Sequence, residues 1–395
     1  LVQQHLGDRK KCGMFWYAWL AFLIWNVLTT WWIWYSTDVG SILAFMLNAL
    51  FSATIFFLFH LSKKKLFNNK KGWGILLFYW ITWEYFHMNW ELTWSWLNLG
   101  NVFASQYKWI QWYEYTGVLG GTAWVIFINI LAFRTLDLFL KKDHSRAYKF
   151  AGGIFISILV PLSISYYIYT SYQEEEKPVE VVVVQPNTDP YNAQFDHSPM
   201  VLLEKNLNLA VQKITPNTQF VVFPESTLYD GNQSIWEGRL ERSPLIRRLR
   251  QFVAENPQIS IVIGASTHRE IMPGEKKTHA ARKFSDAEKY YYAYNTTFQI
   301  DTSSSIQIHH KSKLTPGVET LPSWGILKPI ESLAINLGGT IGTLGTEVLP
   351  VIFTDSENTQ TAPIICYESV YGEFTAKTIR KGAGLILVVT NDGWW

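Results

Sequence analysis

The stretch SILAFMLNALFSATIFFLFHL, residues 41–61, is an apolar run in which no polar face repeats with helical spacing. A helix needs roughly 20 apolar residues to cross the hydrocarbon core of a bilayer. The alternative, a soluble helix bundle, would leave a polar face on each helix. The run therefore predicts a membrane-spanning helix, and the fold class depends on how often such runs recur.

Four more apolar runs lie before residue 172, and all five are grouped in the first part of the chain. The other four cover approximately 14–35, 72–88, 116–138 and 151–171. The run 72–88 is the shortest and contains Glu84, which we expect, with His87, to be interfacial or snorkelling. Charged residues make up 17% of the 395 residues, below the roughly 25% of soluble domains. We predict a transmembrane helical domain of about five helices over residues 1–172.

Basic residues cluster in the connections on one side of the predicted spans. The clusters are Arg9, Lys10 and Lys11; Lys63, Lys64, Lys65, Lys70 and Lys71; and Lys141, Lys142, Arg146 and Lys149. Because basic loops remain in the cytoplasm, five crossings place the N-terminus there and the chain after residue 172 on the opposite side. Tryptophans in the connection 89–115 favour the membrane interface, with a lipid-facing platform near an active site as the alternative.

The remaining chain reads as a short charged linker, 173–178, followed by a globular domain, 179–395. β-Branched apolar runs alternate with helical segments in this part, which predicts a layered α/β fold. The predicted strands lie within 179–187, 218–225, 259–267, 294–311, 361–368 and 384–392, and the helices at 201–214 and 243–256. The polar segment 271–290 is predicted to be a mobile loop.

Three of these strands end in residues that carry catalytic chemistry, namely Glu225, Lys311 and Cys366. The carboxyl ends of strands form the functional edge of α/β folds. A thiol with a free pKa of about 8.5 needs a base or a lowered pKa to act as a nucleophile. Glu225 is suited to take the thiol proton and Lys311 to stabilise an oxyanion, with Lys313 as a competitor for that role. The set predicts acyl transfer through a thioester, with no metal or cofactor.

The two cysteines, Cys12 and Cys366, are on opposite sides of the membrane in the predicted topology, so we expect no disulfide between them. A free thiol in an oxidising compartment needs either deep burial or a function. Cys366 alone is open to both readings, an inert buried thiol or a nucleophile. The net charge of +2 is too small to indicate a nucleic-acid partner.

The motifs around these residues resemble the nitrilase superfamily, most closely the apolipoprotein N-acyltransferases. They are QPN at 185–187, FPES at 223–226, K-x-x-L-x-P-x-x-E-x-x-P from Lys311 to Pro322, CYE at 366–368 and N-D-x-W from Asn391 to Trp394. The stretch 111–129 also looks like the family's membrane helices. Two features depart from the pattern: Gly317-Val318 replaces an aromatic-Gly pair, and His309-His310 precedes the lysine where an aromatic is usual.

The resemblance implies a multi-pass protein of the bacterial inner membrane, whose αββα sandwich domain lies in the periplasm. It implies a ping-pong reaction in which a phospholipid sn-1 acyl chain passes to a cysteine and then to the α-amino group of a diacylglyceryl-cysteine on an apolipoprotein. By position, Glu225 would be the base, Lys311 the oxyanion stabiliser and Cys366 the nucleophile. Glu319 would support the site and Glu368 would have a structural or orienting role. We expect a monomer.

Two other functions stay open at this point. One is a membrane-tethered, nitrilase-like amidase for a small substrate, which would not need the multi-helix half. The other is an inactive lipid-binding relative, against which the intact Glu-Lys-Cys set argues. Compared with the family pattern, we expect the sequence to be a fragment that lacks the first helices and the C-terminal end.

Overall fold

The computed structural model describes residues 13–68, 71–174, 176–189, 197–229, 235–285, 287–320, 343–391 and 393. The residues of the sequence analysis that lie outside these described ranges are Arg9, Lys10, Lys11, Cys12, Lys70, Pro322, Asp392 and Trp394. The chain divides into two compact units. Residues 1–34 and 38–175 form the first unit, and residues 35–37 and 176–395 form the second.

The first unit is helical. Its helices are α1 (Gly13–Thr30), α2 (Asp38–Phe67), α3 (Gly74–His87), α4 (Tyr113–Leu140) and α5 (His144–Ser171). Four stretches are long and apolar enough to cross a membrane: Gly13–Tyr35, Asp38–Phe67, Tyr113–Leu140 and His144–Ser171. Four of the five predicted runs therefore form helices with the length and composition of a membrane span.

The third run forms a shorter helix than the sequence suggested. α3 has 14 residues, so it is roughly 21 Å long against a hydrocarbon thickness of roughly 30 Å. The helix ends where the Met88 N–H bonds to the Glu84 carbonyl, and the 3-10 segments Ser95–Leu97 and Leu99–Trp109 follow. Among the described residues, four helices rather than five have spanning length and composition.

Glu84 is buried within the helical unit, which corrects the expectation of an interfacial side chain. Its Oε1 accepts hydrogen bonds from Trp80 Nε1 at 3.0 Å and from the Leu99 N–H at 2.9 Å. Its Oε2 accepts one from Thr122 Oγ1 at 2.5 Å. His87 is buried as well. Because its oxygens are satisfied from three elements, Glu84 ties α3, α4 and the connection between them together.

The second unit contains two sheets. The first is built from β1 (Glu180–Val183), β2 (Thr218–Val222), β3 (Ile235–Trp236), β4 (Ser260–Glu270), β5 (Arg282–Lys283), β6 (Tyr290–Ile300) and β7 (Gln307–His310). Its order is β1-β2-β4-β6-β5, with β3 beside β4 and β7 beside β6. β1, β2 and β4 are parallel, and β6 is antiparallel to its neighbours. The second sheet has the order β10-β9-β8, from β8 (Phe353–Thr354), β9 (Gln360–Ile365) and β10 (Leu385–Val389).

Successive side chains of β2 face opposite sides of the first sheet. One side packs against the second sheet, and helices cover the other. Phe220 belongs to one core with Leu387 of the second sheet, whereas the next residue, Val221, packs with Leu203 and Leu249 on the opposite face. The helices that cover that face are α6 (Pro199–Val211) and α7 (Pro244–Glu255), and α8 (Gly372–Arg380) contacts β9. This layering confirms the predicted αββα sandwich.

The segment 271–290 is folded against the first sheet, in contrast to the predicted mobile loop. It contributes β5, which pairs with β6. Arg269 holds Glu275 through two hydrogen bonds of 2.6 and 3.0 Å, and the Lys277 ammonium lies 3.4 Å from the centroid of the Tyr290 ring. Bidentate and cation–π contacts of this kind order a polar segment that has few apolar residues.

Candidate active site

Glu225, Lys311 and Cys366 follow three different strands, and the structure brings their charges into interaction range of one another. β2 ends at Val222, β7 at His310 and β9 at Ile365. Lys311 is 1% exposed and Glu225 5%, while Cys366 keeps part of its surface accessible. The predicted set thus forms one cluster at the strand ends, in a region that excludes most water.

The Lys311 ammonium lies between two carboxylates. Its Nζ donates to Oε1 of Glu225 at 3.1 Å and to Oε1 of Glu319 at 2.9 Å. Glu319, predicted from the sequence as a supporting carboxylate, is therefore a direct partner of the lysine. The competing Lys313 points elsewhere, with its ammonium 4.9 Å from the centroid of the Tyr371 ring. The geometry favours Lys311 over Lys313 for the site.

Asn295 is a residue of the site that the sequence analysis missed. Its Nδ2 donates to Oε1 of Glu225 at 2.6 Å and to Oε1 of Glu319 at 2.7 Å. Its backbone carbonyl accepts a hydrogen bond from the backbone N–H of Lys311 at 2.8 Å. Asn295 lies in the middle of β6, where every residue from 292 to 300 is buried. A buried amide within such a strand was the available signal, because buried polar groups are expected to have partners.

The charges in the cluster stabilise each other. Burial alone would lower the pKa of Lys311, but the charges of Glu225, Glu319 and Cys366 raise this pKa well above its usual value. Burial would raise the pKa of Glu319, but the Lys311 charge and hydrogen bonds from Lys311, Asn295 and Thr315 hold this pKa below the usual range. Lys311 is thus an ammonium and Glu319 a carboxylate throughout the neutral range.

Cys366 rests as a thiol. Burial and the charge of Glu225 raise the pKa of Cys366 to about 12, although the Lys311 ammonium acts in the opposite direction. Cys366 also has a positive φ of 44°, at the point where β9 ends and the 3-10 helix Cys366–Val370 begins. A non-glycine residue in the left-handed region is uncommon and is frequent at functional sites. A nucleophilic role for Cys366 would therefore require the cluster to remove the thiol proton.

Glu225 has one carboxylate oxygen available for that proton. Oε1 receives Lys311 and Asn295, whereas the buried Oε2 has no hydrogen-bond partner in the described part of the chain. Gly264 permits the position of Glu225, because a Cβ at residue 264 would lie 2.6 Å from the Glu225 Cα. Oε2 is therefore open to a proton donor, which suits the base role predicted for Glu225.

Glu368 is fully buried and joins the nucleophile strand to the lysine loop. Its Oε2 accepts the Ile365 N–H at 2.8 Å and lies 3.1 Å from His309 Nε2, and its Oε1 accepts the Ser312 N–H at 2.5 Å. Ile365 precedes Cys366 and Ser312 follows Lys311. The structural or orienting role expected for Glu368 therefore has a physical basis, since one carboxylate fixes the backbone on both sides of the site.

The two histidines before the lysine, which depart from the family's usual aromatic, have separate partners. His309 is buried against Glu368. His310 stacks on Tyr294 with ring centroids 3.9 Å apart, and its Nε2 lies 2.9 Å from Glu237 Oε1. Both side chains orient the end of β7, from which Lys311 projects.

A cavity of about 470 Å³ lies beside Glu225, and the QPN motif forms part of its wall. Gln185 and Asn187 contribute from the end of β1, and Thr390 and Asn391 from the end of β10. Within the described ranges, no group of three or more His, Cys, Asp or Glu side chains is placed to hold a metal ion. The cavity provides space for a substrate next to the Glu225 carboxylate.

Two family models match the chain. Residues 2–131 match the apolipoprotein N-acyltransferase N-terminal domain, and residues 180–395, more than half of the chain, match the carbon-nitrogen hydrolase family. Apart from residues 35–37, the first range lies within the helical unit and ends inside α4, and the second lies within the sandwich unit.

Relatives that bear the name apolipoprotein N-acyltransferase are similar along most of the chain. The one from Chlorobaculum tepidum is 26% identical over 389 residues, which are 96% of this chain and 70% of that protein. The one from Geobacter metallireducens is 22% identical over 97% of this chain and 68% of that protein. The one from Haemophilus influenzae is 23% identical over 71% of this chain and 49% of that protein. The chain thus spans between about half and about 70% of the length of these relatives.

Proposed function

Because the chain belongs to the carbon-nitrogen hydrolase family and carries the N-terminal domain of apolipoprotein N-acyltransferases, we propose that it acts as an apolipoprotein N-acyltransferase. The observation that supports the chemistry is the free Oε2 of Glu225 in a cluster with a protonated Cys366 and a charged Lys311. We propose a phospholipid as the acyl donor, the α-amino group of a diacylglyceryl-cysteine as the acceptor, and a monomeric enzyme.

In the first half-reaction, Oε2 of Glu225 accepts the proton of Cys366 while Sγ attacks the carbonyl carbon of the sn-1 ester. The C–S bond forms, and the ammonium of Lys311 stabilises the oxyanion of the tetrahedral intermediate. Collapse breaks the ester C–O bond, and the leaving glycerol oxygen takes the proton from Glu225. The products are a thioester on Cys366 and a lysophospholipid.

In the second half-reaction, the neutral amine of the acceptor attacks the thioester carbon and Glu225 accepts its proton. Collapse breaks the C–S bond, and the sulfur of Cys366 takes the proton back as the amide is completed. Glu225 serves both halves as the proton carrier, and Lys311 stays charged throughout. The ping-pong order follows because the acyl group must leave its donor before the acceptor uses the same sulfur.

We also propose an inner-membrane location with the sandwich domain in the periplasm. Lys63, near the end of α2, lies within electrostatic range of Arg134 and Lys141, near the end of α4. The basic ends of these two helices therefore coincide at one end of the helical unit, as expected if that end faces the cytoplasm. Both substrates are anchored in a membrane, which accounts for a catalytic domain tethered to one.

The test is the intact mass of the full-length protein, purified in detergent and incubated with bacterial phospholipid but no acceptor. We expect an added fatty acyl group that hydroxylamine removes and that peptide mapping places on Cys366. Phospholipid labelled in the sn-1 chain should transfer its label, and phospholipid labelled in the sn-2 chain should not. The matched variant Cys366→Ala should fold, insert and carry no acyl group.

The two alternative functions predict different results in the same experiment. An amidase for a small soluble substrate would leave Cys366 unmodified by phospholipid but acylated by a small amide. An inactive lipid-binding relative would retain phospholipid without any covalent product. Normal N-acylation of an apolipoprotein by Cys366→Ala would rule out the proposed nucleophile.

A further inference from the structure

Lys63 lies in the helical unit near the end of α2 and is only 3% exposed. Its ammonium lies 3.6 Å from the centroid of the Trp73 ring. The charged groups that act on Lys63 include the Asp137 carboxylate. A cation–π contact recovers part of the cost of burying an ammonium, but such a charge also needs hydrogen-bond acceptors.

Trp73 has an unsatisfied donor in the same place. Its ring lies between the α2 and α4 helices, with ring centroids 6.1 Å from Phe59 and 4.9 Å from Phe133. Its Nε1 is buried and has no hydrogen-bond partner among the described residues. A buried indole N–H without an acceptor thus lies against a buried ammonium, which points to a ligand that supplies oxygen atoms.

The charge around Lys63 is positive. The charged groups within range are Arg134, Lys141 and Asp137, and Asp137 already pairs with Lys141 at 2.8 Å. Three cations and one carboxylate leave a formal charge of +2. Arg134 also lies over the Phe150 ring of α5, with Cζ 5.3 Å from the centroid, so it faces the space between helices rather than open solvent. An anion would offset this excess.

We propose that this cluster of Lys63, Trp73 and Arg134 binds the phosphate group of an anionic phospholipid. Phosphate oxygens would accept from the ammonium and the indole N–H, and the guanidinium would add the planar donors that suit phosphate. The cluster lies near the ends of two helices of spanning length, where lipid headgroups are found. Basic pockets between transmembrane helices are suited to such headgroups.

The inference is independent of the proposed acyl transfer. It concerns residues of the helical unit, none of which belongs to the Glu225, Lys311 and Cys366 cluster. An ether-linked lipid keeps the two apart experimentally, because its chains cannot be transferred to Cys366. The background variant Cys366→Ala serves the same purpose, since binding at the Lys63 cluster should be unchanged by it.

The test is native mass spectrometry of the full-length protein with ether-linked phosphatidylglycerol, titrated against wild type, Lys63→Met and Lys64→Met. Lys64 is the matched control because it is the next residue of α2 and is exposed. We expect Lys63→Met to weaken lipid binding about tenfold or more, which corresponds to loss of a charged hydrogen bond. Lys64→Met should stay within about twofold.

Two further measurements test whether a loss of binding reflects misfolding and whether the bound phosphate belongs to a lipid. Trp73→Phe keeps the ring and removes only the indole N–H, so a partial loss is expected with the helical unit intact. Inorganic phosphate at millimolar concentration should compete poorly with the lipid. Equal binding by Lys63→Met and Lys64→Met would refute the site. Complete displacement of the lipid by inorganic phosphate would overturn a phospholipid as the ligand.

Discussion

The Nδ2 atom of Asn295 lies 2.6 Å from Oε1 of Glu225, the same carboxylate oxygen that Lys311 Nζ approaches at 3.1 Å. Its second hydrogen reaches Oε1 of Glu319 at 2.7 Å. A neutral amide can thus hold two carboxylates without adding a charge that would compete with the ammonium. Because both donors converge on Oε1, Oε2 of Glu225 is left without a donor in the described part of the chain, which suits the proposed base role.

Replacement of Asn295 by Ala should slow thioester formation about 10²-fold, since Glu225 loses the donor that orients it. The single-turnover rate should fall while the KM for phospholipid changes little, because Asn295 positions the base rather than binding the lipid. Thr297→Val is the matched control, as Thr297 is buried in the same strand and its hydroxyl has no partner among the described residues. Equal losses in both variants would contradict a positioning role.

Lys311→Met should reduce the rate of thioester formation about 10²–10³-fold through loss of oxyanion stabilisation. It should also destabilise the domain by about 3–5 kcal/mol, because Glu225 and Glu319 would remain as buried, unpaired carboxylates. Lys313→Met should leave the rate within about twofold, since that ammonium contacts the Tyr371 ring instead. Single-turnover kinetics and thermal melting in detergent measure both. Similar rates for the two variants would show that the lysine assignment is wrong.

Glu225→Gln should make resting Cys366 easier to alkylate although it abolishes acyl transfer. The carboxylate raises the pKa of Cys366, so its removal lowers that pKa and increases the thiolate fraction at a given pH. In the wild type, the alkylation rate should rise with pH up to the pKa of about 12. Rates of iodoacetamide labelling of the wild type and of Glu225→Gln, measured across this pH range, test whether the substitution lowers the pKa of Cys366. Slower labelling of Glu225→Gln would mean that Glu225 already holds the thiol proton at rest.

Glu368→Gln should lower kcat for thioester formation about tenfold or more with little change in KM. An amide oxygen can replace only one of the two carboxylate oxygens, so the NH₂ group would face the backbone N–H of Ile365 or of Ser312. Glu373→Gln is the control, because Glu373 is exposed and forms its salt bridge with Lys377, one turn along the same helix. A parallel rise in KM would indicate general disruption rather than misplacement of Cys366 and Lys311.

In the helical unit, Glu84 and Thr122 should be energetically coupled. A double-mutant cycle of Glu84→Gln and Thr122→Val, measured by unfolding in detergent, should give about 1 kcal/mol of coupling from their 2.5 Å hydrogen bond. The comparison cycle pairs Glu84 with Thr135, whose hydroxyl bonds to its own helix at the Leu131 carbonyl. Coupling of similar size in both cycles would contradict a specific contact.

The sequence was sufficient to predict the layers of the fold and the strand-end positions of Glu225, Lys311 and Cys366. Strands alternating with helical segments predicted a layered α/β fold, the family resemblance implied the αββα sandwich, and the strand ends predicted the functional edge. Asn295 was missed because its role depends on β6 lying beside β7 and opposite Glu225. No local pattern in the sequence encodes these neighbours.

The membrane half shows the same limit. Glu84 was predicted to lie at the membrane interface because a carboxylate near the end of an apolar helix usually extends its side chain into water. Its partners, Leu99 and Thr122, are 15 and 38 residues away along the chain. Burial of a carboxylate becomes favourable only once such distant donors converge on it.

The high pKa of Cys366 also has a consequence for redox chemistry. Oxidants convert cysteine to sulfenic acid through the thiolate, so a group that rests almost wholly as a thiol reacts slowly. With a pKa of about 12, Cys366 exposes little thiolate until a substrate engages the cluster. We therefore expect Cys366 to resist oxidation in an oxidising compartment without a dedicated reductase. The burial and the Glu225 charge that keep the thiol protonated at rest would also protect it from oxidants.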